Sequence, residues 1–138
     1  MSTSAMTRLK TLVHFREFPF GMAPAPSMRE FMASEPWEHQ AEVVAYLRSG
    51  HVLGYVMGGG VPDWFDPTCR RANPIVDGKV EDGATPMTDG VWFWPAALIY
   101  FVEKYNVRLP QEFIEHAARN GWRVDREAVA RGVYDYDF

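Results

Sequence analysis

The side chains of this 138-residue chain that could do acid–base, nucleophilic or metal chemistry are one cysteine, four histidines and eighteen acidic residues. Cys69 stands beside Arg70 and Arg71, and neighbouring positive charge favours thiolate over thiol. A nucleophile also needs a base for its proton and donors for the developing oxyanion, and no motif near Cys69 supplies either. His14, His39, His51 and His116 fall in four separate stretches. None forms the i, i+4 pair that lets one helix face hold a metal. Gly58-Gly59-Gly60 is followed by Val61-Pro62-Asp63, not by the Lys-Ser/Thr with which a phosphate loop grips its ligand. These residues predict no catalytic centre, no metal and no cofactor.

The carboxylates are distributed unevenly. Between residues 58 and 90, six acidic residues (Asp63, Asp66, Asp77, Glu81, Asp82, Asp89) stand against Arg70, Arg71 and Lys79. That excess of three makes up most of the whole chain's net charge of −4. Turn chemistry accounts for Asp77, Asp82 and Asp89, because a short carboxylate bonds its own local backbone. The cluster Asp63-Trp64-Phe65-Asp66 fits a second description, an aromatic and acidic surface that grips a basic partner. The candidate partner-binding residues are therefore Asp63, Trp64, Phe65, Asp66, Asp77, Glu81 and Asp82. The aromatic, acidic tail with Tyr134, Asp135 and Tyr136 is the second candidate.

The elements that must position these residues follow from periodicity and punctuation. Residues 11–18 alternate loosely and suit a short strand or extended arm. Ser27-Met28-Arg29-Glu30 has the spacing of a capping box. Pro36 suits the first turn of a helix whose stripe is Trp37, Ala41, Val44 and Leu47, with Gly50 as a left-handed stop. Residues 51–57 have strand composition. Asp77-Gly78 between Ile75-Val76 and Lys79-Val80 predicts a hairpin. A second turn at Asp89-Gly90 joins a strand over 91–94 to one over 85–88, which Pro86 should confine to an edge.

Pro95 then opens the central helix, with Leu98, Phe101, Val102 and Tyr105 at i, i+3, i+4 and i+7. Leu109-Pro110 opens the next, with Phe113, Ile114 and Ala117 inward and a Schellman ending at Asn120-Gly121-Trp122. Asp125 caps a last short helix, with Val124 and Val129 as a hydrophobic staple. The fold class is α+β: one domain over residues 1–138, a small antiparallel sheet of about three to five strands packed by about four helices. Residues 1–10 are expected to be disordered.

Bulk properties bound the partners. An acidic balance does not suit nonspecific nucleic-acid binding, which needs clustered lysine and arginine. No apolar run approaches the ~20 residues of a membrane span, and the first ten residues lack the apolar core of a signal peptide. One cysteine leaves no internal disulfide and suits a reducing compartment. The expected location is the cytoplasm.

The run Thr88-Asp89-Gly90-Val91-Trp92-Phe93-Trp94-Pro95, then Tyr100-Phe101-Val102-Glu103-Lys104-Tyr105 and Leu109-Pro110-Gln111-Glu112-Phe113, resembles the signature of a family of small bacterial cytoplasmic proteins. Its members are similar in size and character to the immunity proteins that neutralise antibacterial toxins. The resemblance implies a binding protein, not an enzyme, that covers the active surface of a basic toxin domain without a cofactor. Two other readings stay open: a small enzyme or ligand-binding protein with an aromatic pocket against Trp92 and Trp94, and a homodimeric structural protein joined through that strand.

Overall fold

The computed structural model describes residues 5–18, 25–54, 61–69 and 71–136. Its organising element is the hairpin of β6 (Pro86–Thr88) and β7 (Trp92–Pro95). Asp89 builds the turn. Its Oδ1 accepts the amides of Val91 (2.9 Å) and Trp92 (2.7 Å), while Gly90 takes a positive φ of 95°. Thr88 consequently faces Phe93, and Met87 faces Trp94. A two-residue turn would have set Thr88 opposite Val91, so the register is shifted by two. Side chains alternate with period two, so the shift leaves every residue on its expected face.

Two more strands complete this sheet, in the order β2-β7-β6-β3, with β2 at Lys10–Thr11 and β3 at His51–Val52. β6 is therefore interior, not an edge. Pro86 begins the strand and faces Pro95 at a non-hydrogen-bonded position, where β6 and β7 exchange no N–H bond; the adjacent bond is the Ala96 amide on the Thr85 carbonyl at 2.8 Å. The Pro86 carbonyl, on the other side, accepts the Leu53 amide at 2.9 Å. The sheet is mixed, since β2 runs parallel to β7. β1 (Thr7–Arg8) pairs in parallel with β8 (Tyr134–Asp135), so strands stand where residues 1–10 predict disorder. A separate hairpin, β4 (Ile75–Val76) with β5 (Lys79–Val80), forms at the predicted place.

Helix α1 (Gln40–Arg48) starts four residues later than Pro36. His39 adopts a left-handed φ of 66°, and Gln40 turns inward. The Gln40 side chain accepts the Trp37 amide and donates to the Val102 carbonyl and to Asn106. The inner face is accordingly Gln40, Val43, Val44, Tyr46 and Leu47, while Ala41 is exposed. Gly50 is not left-handed. It is required because a Cβ there would lie 2.7 Å from Cζ2 of Trp94.

Helix α2 (Ala97–Tyr105) carries the predicted stripe through the core and ends at a left-handed Asn106. Helix α3 (Gln111–Arg119) closes with the Trp122 amide on the Ala117 carbonyl and the Gly121 amide on that of Ala118. That is the Schellman pattern. Asp125 caps α4 (Arg126–Ala130), with Val124 and Val129 both buried. The capping box at Ser27 and Glu30 is present on a single 3-10 turn, Met28–Phe31. No helix among the described residues is long and apolar enough to cross a membrane.

Candidate functional site

Asp63 is an internal post. Its side chain is fully buried and accepts hydrogen bonds from the Phe65 amide (2.9 Å), Tyr100 Oη (2.8 Å), Tyr105 Oη (2.8 Å) and Lys104 Nζ (3.1 Å). Burial alone would raise its pKa, but these four donors outweigh it and hold the carboxyl below the usual range. Asp66 completes the arrangement, accepting Lys104 Nζ (2.9 Å) and the hydroxyl and amide of Thr68. The Thr68 hydroxyl, then Lys104, holds its carboxyl low.

The three donors on α2 sit at positions 100, 104 and 105. Tyr100, Lys104 and Tyr105 form one polar edge beside the apolar stripe, a spacing that asks for an acidic partner from elsewhere in the chain. Lys104 Nζ also lies over both rings, 5.3 and 5.5 Å from their centroids. The network straps the 61–69 loop onto the central helix. Phe65 meets Phe101 and Tyr105 edge-on, while Trp64 stacks on Phe101 at 5.7 Å and keeps 37% of its surface exposed. Of the four residues read as a gripping surface, Asp63 is buried, Phe65 and Asp66 are half-buried, and Trp64 alone is exposed.

The structure places the remaining predicted residues in two other regions. At the 75–80 hairpin, Asp77 (φ 52°) and Gly78 (φ 75°) form the left-handed turn, and Asp77 pairs with Arg126. Glu81 accepts the Thr85 hydroxyl at 3.0 Å, and Asp82 accepts the Ala84 amide at 2.9 Å. At the other region, Asp135 pairs with Arg8 at 2.8 Å, Tyr134 donates to the Val129 carbonyl, and Tyr136 packs on Phe93. The tail is a docked strand and not a free arm. Residues 55–60, 70, 137 and 138, including the glycine run and Arg70, lie outside the described residues.

Sequence patterning missed the outer face of the hairpin. Ile75 and Val80 face one another across the strands and are 57% and 70% exposed. Val76, on the opposite face, is buried in the core. The hairpin base is fixed by the Glu81 amide on the Pro74 carbonyl (2.8 Å) and the Gly83 amide on Asn73 Oδ1 (3.0 Å). Two β-branched side chains are therefore held side by side in water on an anchored ribbon. The signal was available, because strict alternation from a buried Val76 puts Ile75 outward.

A second polar group surrounds Asp89, whose Oδ2 accepts Tyr46 Oη (2.6 Å) and lies 3.1 Å from His116 Nε2. Asn120 Nδ2 donates to Tyr46 Oη at 3.1 Å. With its other oxygen in the turn, Asp89 accepts three hydrogen bonds, from Tyr46, Val91 and Trp92, with the His116 imidazole beside it. This carboxylate joins the β6–β7 turn to α1 and α3. Trp92 and Trp94 are core residues, 7% and 0% exposed. Among the described residues no three His, Cys, Asp or Glu side chains converge to hold a metal.

Comparison of the chain with protein-family models, with curated proteins and with solved structures found no match.

Proposed function

We propose that this chain is a cytoplasmic protein-binding module of the immunity type, which occludes a toxin domain with the outer face of the 75–80 hairpin. One observation carries the proposal: Ile75 and Val80 are paired and solvent-exposed on an anchored hairpin, with Asp77 in its turn and Glu81 and Asp82 just after its second strand. Exposed apolar area rimmed by charge is the character of a contact patch, since apolar burial contributes affinity and the rim sets approach and register. The residues sit at a non-hydrogen-bonded ladder position, where side chains are closest and backbone groups point away from the partner strand. A partner strand could therefore add to the free edge and cover both side chains together. Asp63 holds the 61–69 loop on α2 and is not part of this surface.

The test is protection. Cells expressing this chain are challenged with a toxic domain encoded beside its gene. Wild type is expected to protect, and the double variant Ile75→Asp, Val80→Asp, folded by circular dichroism, is expected not to. A neighbouring gene for no toxic domain, or full protection by the double variant, refutes the proposal. A chain that sediments as a dimer in wild type and as a monomer in the variant would assign the face to a second copy instead.

A further inference from the structure

On another face, the chain leaving β2 forms one wall of a cavity of about 370 Å³. Leu12 is held to the sheet by its amide on the Phe93 carbonyl (3.1 Å), and Phe15 packs 5.4 Å from Phe31. The opposite wall is Leu109 and Pro110 at the start of α3. Phe31 and Arg108 are fixed relative to each other, because the Arg108 amide donates to the Phe31 carbonyl at 2.8 Å and Met32 bridges Val107 beside them. Phe31 remains 38% exposed although Leu12, Phe15 and Leu109 beside it are buried.

The walls are apolar, and the two ionisable side chains lining the cavity are His14 and Arg108. Neither has a carboxylate partner among the described residues. Three arginines are paired, Arg8 with Asp135, Arg48 with Glu103 and Arg126 with Asp77; Arg108 is among those that are not. Lys10, at the end of the same strand, is neutralised by Glu112. The cavity thus combines hydrocarbon walls, an unpaired guanidinium and a donor-capable imidazole, within the size range of small-molecule sites.

We propose that this cavity binds a small amphipathic carboxylate, with its acyl or aryl portion between Leu12, Phe15, Phe31 and Leu109 and its carboxylate on Arg108. Guanidinium–carboxylate pairing is bidentate and stronger than a neutral hydrogen bond. A neutral alcohol of the same chain length gains only the apolar contact, and an alkylammonium ion meets like charge. The site is independent of the hairpin face and needs no partner protein.

The experiment is an amide NMR titration of the full chain with decanoate below its micellar concentration, with 1-decanol and decyltrimethylammonium as controls. Decanoate is expected to saturate one site, with shifts confined to residues 12–15, 31, 108 and 109. Decanol and the cation should bind at least about tenfold more weakly, the loss of one charge-assisted contact. Arg108→Gln should weaken decanoate to the level of decanol and leave decanol unchanged. Val13→Trp, which fills the cavity from a half-buried position, should abolish both. Unsaturable or dispersed shifts, equal binding of decanol, or an unaltered Arg108→Gln would overturn the proposal.

Discussion

Replacing Asp63 by asparagine tests whether a carboxylate, not merely a polar group of that shape, holds the 61–69 loop on α2. Asparagine keeps one acceptor oxygen but turns an NH₂ toward a site already filled by the Phe65 amide, both tyrosine hydroxyls and Lys104 Nζ. Removing one member of a buried charge pair costs about 3–5 kcal/mol. Lys104 retains Asp66 and is partly open to water, which places the loss near the lower end, about 3 kcal/mol. For a domain of this length that is a fall in Tm of roughly 12 °C.

The pH dependence gives a second, independent reading. Asp63 titrates below its ordinary value of 3.8 in the fold, so at acid pH the unfolded chain binds its proton first. Its contribution is fully present above that value and is lost as pH falls through the folded pKa. The gap in stability between wild type and Asp63→Asn should therefore be widest near neutrality and narrow as pH falls below about 4. Urea melts of both proteins across that range measure it, and the other carboxylates cancel in the difference. A variant within about 1 kcal/mol of wild type near neutrality, or a gap that does not change with pH, would refute the account.

Gly50→Ala should destabilise by about 1–3 kcal/mol through overpacking, because the new Cβ meets Trp94 and its neighbours are the Leu47 and Thr88 carbonyls; a shift of the urea midpoint at constant slope checks it. Tyr46, Tyr100, Tyr105 and Tyr134 are all held above the ordinary phenol value, each by burial first and then by bonding or proximity to Asp89, Cys69 or Asp63. Their neutral form is favoured in the fold, so this stability is full below pH 10 and is lost as pH rises above it. Phenolate absorbance should lag a free-tyrosine curve and catch up when the chain unfolds, whereas an ordinary titration in the folded protein would contradict the network.

Local devices were legible in the sequence because neighbouring residues satisfy them. The Asp77-Gly78 turn, the Ser27–Glu30 capping box, the Asn120-Gly121-Trp122 ending and the Val124–Val129 staple all depend on residues at most a few positions apart. Features that depend on distant partners were not legible. Asp63 reads as a surface acid until α2 supplies its three donors from about forty positions away. Pro86 reads as an edge residue until Pro95 stands opposite it and β3 covers its other side. Gly50 was anticipated for its backbone freedom, yet Trp94 is the reason it is needed. The outward Ile75–Val80 pair was accessible to alternation alone and was obscured by the more conspicuous acids around it.

The parallel pairing of β1 with β8 sets an order of events during synthesis. Thr7 and Tyr134 are partners across 127 positions, and β2 likewise waits for β7. A nascent chain can complete the β6–β7 hairpin and its α2 packing as soon as those residues emerge, but its first segment has nothing to pair with until the last one follows. Closing so long a loop is slow and entropically costly. Leu9, buried between the two parallel registers, stays exposed throughout that interval. The β1 strand thus cannot become native until residues 134–135 are in place.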